Sequence, residues 1–342
     1  MDITLIVMWL GFALAAYSVV GNDVIQTLGT FLTSNEKRLP WWVLWLFAAT
    51  ILLAALANGY MNSDIDYGRL DKFTMPSEYP WYYLLPPIVL LLITRSGIPV
   101  STTFMILTLF SLSAIPNDLP SMLSSTFDSG TKLGGMIQKS VMGYIIAFSS
   151  AAVIYVAISR LTEKRFVDNP LNKQQAQIWT VVQWFTTGFL WFQWLTQDLA
   201  NIYIYLRDGE GLSITGFIAS VAILLGLLAY IFYTKGGAVQ KVVREKTNTA
   251  DIRAATFIDL IYGIILYIFK YNYLGLFEGK LPMSTTWVFI GLLAGRELGI
   301  RLNWEGKLTS QTTKMIFSDL GKVFFGLIVS VVLVFIIKLL AG

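Results

Sequence analysis

The chain has 342 residues, of which 55% are hydrophobic and 13% are charged, with a formal net charge of +4. A soluble chain usually carries about a quarter charged residues, so this composition is typical of a membrane protein. Cysteine and histidine are both absent, which excludes disulfide bonds, thiolate chemistry and the usual zinc sites. We expect no cofactor and, with so small a charge placed mostly in loops, no nucleic-acid partner.

The apolar residues form blocks of the length needed to cross a bilayer, which is about 20 residues. The first block, Met1–Val20, lacks the basic start and the small-residue cleavage site of a signal peptide and is predicted to be the first span. Later spans are predicted around Trp41–Asn58, Val141–Ser159, Leu212–Tyr233 and Val323–Leu340. The fold class is therefore all-α, a polytopic transmembrane helical bundle.

Two further apolar regions are each divided by a polar break. One region consists of Trp81–Thr94 and Ser101–Ile115, and the other of Phe257–Phe277 and Ser284–Leu293. A break at membrane depth is tolerated only where protein or a water-filled cavity satisfies the freed backbone groups. Paired breaks in two halves of a chain mark the binding site of many transporters. Each region is therefore predicted to be a re-entrant helical hairpin.

Two motifs occur twice in the same order. The Pro-x-Ser-Thr-Thr sequence at Pro99–Thr103 recurs at Pro282–Thr286, 183 positions later. The Asn22–Gln26 segment matches Gln197–Asn201, 175 positions later. Such recurrence predicts an internal duplication, with a first repeat at 1–160, a cytoplasmic linker at 161–175 and a second repeat at 176–342.

The basic residues predict how these repeats are oriented. They cluster at Lys37–Arg38, Arg160–Lys173, Lys235–Lys246 and Arg301–Lys314. Basic loops tend to lie in the cytoplasm. All four clusters do so if each half has one hairpin and three full crossings. One of the three crossings is predicted to be a broken helix that carries the aspartate motif. Three is odd, so the halves have inverted topologies. We expect a multi-pass protein of the cytoplasmic membrane with both termini outside.

The two Ser-Thr-Thr sequences are candidate oxyanion ligands. A helix that begins at Pro99 or Pro282 presents the unpaired N–H groups of its first turn, together with its hydroxyls, to an anion. Two such starts could hold a tetrahedral oxyanion without a buried arginine or lysine. The alternative is that these side chains only cap helices. The predicted substrate-binding residues are Ser101, Thr102, Thr103, Ser284, Thr285 and Thr286.

The two aspartate motifs are candidate cation ligands. A carboxylate within a membrane segment is costly and points to function. Residues three apart share a helix face, so each aspartate can present oxygens together with an amide side chain, and oxygen ligands suit a hard cation such as Na⁺. The alternative is again helix capping. The predicted cation-binding residues are Asn22, Asp23, Gln26, Gln197, Asp198 and Asn201, with Asp23 and Asp198 as the charged ligands.

These motifs resemble the duplicated signatures of the inorganic phosphate transporter (PiT) family. The resemblance rests on Gly21–Val24, Gln197–Asn201 and the two Pro-x-Ser-Thr-Thr sequences. It implies inverted repeats that carry phosphate with Na⁺ or H⁺, or sulfate as in a bacterial branch of the family. The family usually has His after Ser-Thr-Thr, where this chain has Phe104 and Trp287.

The chain is accordingly predicted to be a symporter of inorganic phosphate and Na⁺ (or H⁺), and not an enzyme. The alternatives are a permease for sulfate or another oxyanion, an anion channel, an intramembrane enzyme acting on lipid phosphates, and a membrane protein that transports nothing. The oligomeric state stays open between a monomer and a homodimer. Among the other charged residues, we expect Lys139 to extend to the membrane interface, Arg296 to face a polar loop, and Asp259 to matter less than the paired aspartates.

Overall fold

The computed structural model of the chain describes residues 2–96, 98, 100–114, 116, 118–207, 211–236, 240, 251–273, 275, 283–306 and 309–341. All regular structure in these ranges is helical, which confirms the predicted fold class. The α-helices are α1 (Ile3–Val19), α2 (Ile25–Asn35), α3 (Trp41–Met61), α4 (Leu85–Arg95), α5 (Leu119–Phe127), α6 (Lys132–Ile158), α7 (Arg165–Asp168), α8 (Lys173–Asp198), α9 (Ala200–Tyr203), α10 (Ile214–Tyr233), α11 (Ile252–Tyr271), α12 (Thr285–Glu305) and α13 (Ser310–Ala341).

Within the described residues, six helical stretches are long and apolar enough to cross a membrane, and the chain is a multi-pass membrane protein. They are Ile3–Asn35, Trp41–Met61, Pro120–Ile158, Ile214–Tyr233, Ile252–Tyr271 and Ser310–Leu340. Ile252–Tyr271, predicted to be a hairpin arm, is one of them, whereas α8 is not. The 26 residues of α8 extend about 39 Å, enough to cross a bilayer, but its six glutamines lower its hydropathy.

The first aspartate motif lies in a distorted turn. A π turn, Val20–Val24, joins α1 to α2 without interrupting the helical path, so the predicted broken helix is instead a continuous helix with one widened turn. Such π turns occur frequently at functional sites. In the second motif, α8 ends at Asp198 and the chain continues through α9 into the 3₁₀ turn Ile204–Leu206.

The two predicted hairpins differ in their second arms. In the first, a 3₁₀ turn leads into α4, but the stretch after the break is a π turn, Thr103–Leu107, followed by a 3₁₀ turn, Leu109–Ala114. In the second, α12 extends to Glu305, well beyond the predicted end at Leu293. Pro99 and Pro282 lie outside the described residues. The re-entrant paths and the inverted orientation of the halves stay predictions.

The backbones of α6 and α12 lie in direct contact along a row of glycines. A Cβ atom added at Gly291, Gly295 or Gly299 would lie 2.6, 2.1 and 2.7 Å from a carbonyl oxygen of α6. These glycines are four residues apart and share one helix face. A side chain larger than hydrogen there would push the two helices apart, so the glycines allow α12 to lie directly against α6.

Two equivalent contacts join the predicted halves. Gly143 of α6 packs against Met283, and Gly326 of α13 packs against Val100. Gly143 and Gly326 are 183 positions apart, as are Val100 and Met283. The last helix of each half therefore contacts the residue before the Ser-Thr-Thr sequence of the other half.

The predicted linker is partly helical and is attached to the second half. It contains α7, and α8 begins at Lys173, before the predicted boundary at 176. The expectation that Arg296 faces a polar loop is wrong, because its buried guanidinium donates to Glu163 at 2.8 Å. Arg253, at the start of α11, donates to the carbonyl oxygen of Phe166 at 2.8 Å. The linker thus contacts both α11 and α12.

Candidate functional site

All twelve predicted ligand residues are buried, each with no more than 3% of its surface exposed. Hydrogen bonds join members of all four motifs: Thr102 and Thr286 both contact Asp23, and Asn201 contacts Thr102. Residues predicted to bind an anion and residues predicted to bind a cation therefore form one polar cluster. We call it the core cluster.

Both oxygens of the Asp23 carboxylate accept hydrogen bonds. Its Oδ1 accepts hydrogen bonds from the Asn22 amide at 2.9 Å and the Thr286 hydroxyl at 3.0 Å, and its Oδ2 accepts from the Thr102 hydroxyl. The amide of Asn22 also donates to the carbonyl oxygen of Val100 at 2.6 Å. Gln26 does not pair with Asp23 as expected. Its amide donates to the side-chain oxygen of Asn22 at 3.2 Å, because in the π turn a residue lies above the one four positions earlier.

The environment of Asp198 is different. Its Oδ1 accepts from the Asn201 amide at 2.9 Å, the pairing predicted from the spacing. Among the residues that the structure describes, none donates a close hydrogen bond to its Oδ2, to the Oδ1 of Asn201 or to the Oε1 of Gln197, all of which are buried. The hydroxyls of Thr103 and Thr285 lie near the same carboxylate. Buried acceptors are almost always satisfied, and each orphan costs roughly 1–3 kcal/mol.

The serines and threonines of the repeated motif have separate roles. Ser101 accepts a hydrogen bond from the backbone N–H of Phe104 at 3.2 Å, and Ser284 accepts one from Trp287 at 3.4 Å. Both serines therefore cap helical turns, which was the alternative to anion binding. Thr102 and Thr286 instead donate to a carboxylate. The first N–H groups of each turn have no partner one turn earlier and give the helix start a partial positive charge.

Two aromatic side chains lie between the helix starts, at the positions where the resembled family has His. The rings of Phe104 and Trp287 meet edge to face, with centroids 6.1 Å apart, and both are fully buried. Tyr144 and Phe324 complete the apolar contact around Trp287. This packing provides apolar surface and no charge next to the two helix starts.

Asp259 is a buried carboxylate whose hydrogen-bond partners the sequence did not indicate. Its carboxylate is completely buried on α11 and accepts hydrogen bonds of 2.5 Å from Thr30 on α2 and from Thr187 on α8. The donors lie 229 and 72 positions away, so no local spacing indicates them. The only signal in the sequence was the carboxylate itself, placed within an apolar stretch. Tyr262, which donates to the carbonyl oxygen of Thr285 at 3.0 Å, was also missed.

A cavity of about 940 Å³ opens beside the core cluster, lined by the loop after α3 and the segment before α10. Arg207 lies in its wall and forms ion pairs with Asp66 at 3.3 Å and Asp71 at 3.5 Å. Tyr203, two residues beyond Asn201, also lines it. The cavity thus reaches the helical segment that carries the second aspartate motif.

Comparison with solved structures finds the same fold in a protein described as "The sodium-dependent phosphate transporter". The TM-score is 0.62, the sequence identity is 16%, and the match covers 99% of this chain and 98% of that one. No protein-family model and no curated protein sequence matches this chain. At this identity the likeness establishes the fold: over its whole length, the chain has the architecture of a solved transporter.

Proposed function

We propose that the chain is a secondary active transporter that moves inorganic phosphate across the cytoplasmic membrane together with Na⁺. The observation that carries this proposal is a set of three buried oxygens, on Asp198, Asn201 and Gln197, that receive no close hydrogen bond from the part of the chain that the structure describes. They lie in the same cluster as the two helix starts. The fold shared with a protein described as a sodium-dependent phosphate transporter supports it.

The three unsatisfied oxygens would bind the cation. They comprise one carboxylate oxygen and two amide oxygens, a ligand set suited to a hard monovalent or divalent ion. One Na⁺ can bind all three oxygens at once, whereas a proton could satisfy only the carboxylate. This favours Na⁺ over H⁺ as the coupling ion. Asp23 lies in the same cluster and contributes a second negative charge.

The helix starts at Ser101–Thr103 and Ser284–Thr286 would bind the anion through backbone N–H groups and threonine hydroxyls. A hydroxyl has one hydrogen to donate, and those of Thr102 and Thr286 now point at Asp23. A cation at the carboxylates would compete with these hydrogen bonds and release the hydroxyls for phosphate. Cation binding would then precede anion binding, and the bound pair would be partly neutral in a low-dielectric site.

Uptake of ³²P-labelled phosphate into proteoliposomes tests the proposal. With an inward Na⁺ gradient we expect accumulation above equilibrium, and little uptake when K⁺ replaces Na⁺ or when an ionophore dissipates the gradient. Parallel uptake of ³⁵S-labelled sulfate tests the second oxyanion. Accumulation driven equally by a proton gradient in the absence of Na⁺ would reassign the coupling ion. Absence of uptake of both oxyanions would contradict the transport function.

A further inference from the structure

Arg69 is a buried cation that the core cluster does not use. Only 5% of its surface is exposed, and its Nε and one terminal nitrogen, Nη2, have no hydrogen-bond acceptor within the described ranges. Burial lowers the pKa of its guanidinium to about 10, so the side chain stays protonated at neutral pH. A buried, charged guanidinium with unpaired N–H groups is costly unless an anion completes its hydrogen bonds.

The loop that carries Arg69 is built to hold it. The side chain of Asp66 accepts a hydrogen bond from the backbone N–H of Leu70 at 2.8 Å, and that of Asp64 accepts one from Gly68 at 2.6 Å. Tyr67 adopts a positive φ of 54° and anchors the loop through its hydroxyl, which donates to the carbonyl oxygen of Ala55 at 2.8 Å. The inward position of Arg69 is therefore a fixed feature of the fold.

Two lysine side chains interact electrostatically with Arg69. Lys139, on α6, interacts electrostatically with Arg69 and Lys72. The expectation that it reaches the membrane interface is wrong, because only 4% of its surface is exposed. Lys270, at the end of α11, also interacts with Arg69. The negative charges that interact with Arg69 are Asp198 and Asp66. Lysines from α6 and α11 thus add positive charge near the guanidinium.

We propose that Arg69, together with Lys139, forms a second oxyanion-binding site between the large cavity and the core cluster, at which phosphate or sulfate binds before it enters the core. The two unpaired nitrogens of the Arg69 guanidinium suit a tetrahedral oxyanion, which accepts several hydrogen bonds from a guanidinium at once. Arg69 interacts electrostatically with Asp66, which lines the cavity, and with Asp198 of the core cluster. These two interactions are the reason for assigning the site to the region between the cavity and the core cluster.

The choice of phosphate as the ligand rests on the proposed function, but the site does not depend on Na⁺. The core cluster needs a cation before its hydroxyls are free for an anion, whereas the guanidinium of Arg69 is already positive. The two sites therefore differ in their requirement for sodium. A role for Arg69 that is confined to neutralising Asp198 would instead change the affinity for Na⁺.

Equilibrium binding of ³²P-labelled phosphate to the purified full chain in sodium-free buffer tests this site. We expect wild-type protein to bind phosphate, R69Q to bind about tenfold more weakly or worse because a charged donor pair is lost, and R69K to fall between them. The matched control is R207Q, which removes an arginine that is already paired and only partly buried. It should bind as wild type does. Size-exclusion profiles and thermal melting verify that each variant is folded.

The outcomes separate this inference from the proposed function. Sodium-free binding that is lost in R69Q supports the site, even if the wild type shows no coupled uptake. Absence of sodium-free binding in the wild type, or equal binding in R69Q, overturns it, even if uptake is normal. A change in Na⁺ affinity alone assigns Arg69 to charge neutralisation and also overturns it. Displacement of phosphate by phosphatidylglycerol added to phosphatidylcholine nanodiscs would identify a lipid headgroup as the ligand, against the free ion proposed.

Discussion

The two aspartate motifs share one pattern, an aspartate between two amide residues, but have different surroundings. Asp23 lies in a widened helical turn and accepts three hydrogen bonds, from Asn22, Thr102 and Thr286. Asp198 lies at a helix end and accepts one close hydrogen bond, from Asn201, with the hydroxyls of Thr103 and Thr285 nearby. Its second oxygen and two neighbouring amide oxygens have no close donor among the described residues. A repeated motif has thus produced one satisfied carboxylate and one unsatisfied one.

This difference assigns separate tasks to the two halves of the proposed site. The bonds to Asp23 tie the two Ser-Thr-Thr segments to the first helix, and so Asp23 organises the cluster. Asp198 has the free ligand oxygens, and so the cation would bind mainly on its side. The affinity for Na⁺ is the quantity that distinguishes the motifs.

The largest effect is expected for Asp198→Asn. Loss of the charged ligand should weaken Na⁺ binding about a hundredfold, since interactions with a charged group are worth up to roughly 3 kcal/mol. Asp23→Asn should weaken it by about tenfold or less, because an amide oxygen still accepts hydrogen bonds. Thermal stabilisation of the purified protein by increasing Na⁺ measures both. If the two variants lose the same affinity, the proposed difference between the motifs is wrong.

An intermediate effect is expected for Gln197→Leu. This change removes one neutral ligand oxygen and should weaken Na⁺ binding about tenfold, the equivalent of roughly 1.4 kcal/mol. Gln26→Leu is the matched control at the corresponding amide of the first motif, where Gln26 donates to Asn22. It should leave the affinity for Na⁺ within about twofold. An unchanged affinity in Gln197→Leu would exclude this oxygen from the cation site.

The smallest effect on Na⁺ is expected for Thr286→Val. Asp23 keeps its other two donors, so the affinity for Na⁺ should change less than about twofold, whereas the KM for phosphate should rise about fivefold through the loss of one hydroxyl donor. Thr286→Ser, which restores the hydroxyl, should recover the wild-type KM. Concentration-dependent uptake provides these values. A change in the KM for Na⁺ without one for phosphate would show that Thr286 serves only the carboxylate.

Much of the fold was predictable because transmembrane helices leave long apolar blocks in a sequence. Trp41–Asn58 and Leu212–Tyr233 matched observed helices within a few residues. The gathering of the twelve site residues followed from the recurrence of two motifs. The π turn at Val20–Val24 was not predictable, because no residue type specifies the extra residue in that turn, and the pairing of Gln26 was therefore wrong.

The missed residues share one property: their partners are distant in the chain. Asp259 is satisfied by hydroxyls from two other helices, and Arg296 pairs with Glu163 across 133 positions. Lys139 and Arg69 have ordinary sequence surroundings that are typical of an interface or a loop. Burial of such charges depends on which helices pack together, and single-sequence periodicity does not indicate this.

The glycine contacts between α6 and α12 limit how the protein can move. Because Gly291, Gly295 and Gly299 hold the two backbones together, and the N–H of Ser284 donates to Ser140 on α6 at 2.9 Å, the second helix start and α6 form one rigid body. Alternating access would then require the first helix start and the Asp23 turn to move against this body. In the proposed transport cycle, only part of the first half, the Asp23 turn with the first helix start, would move, and the hydrogen bond from Thr286 to Asp23 would have to break.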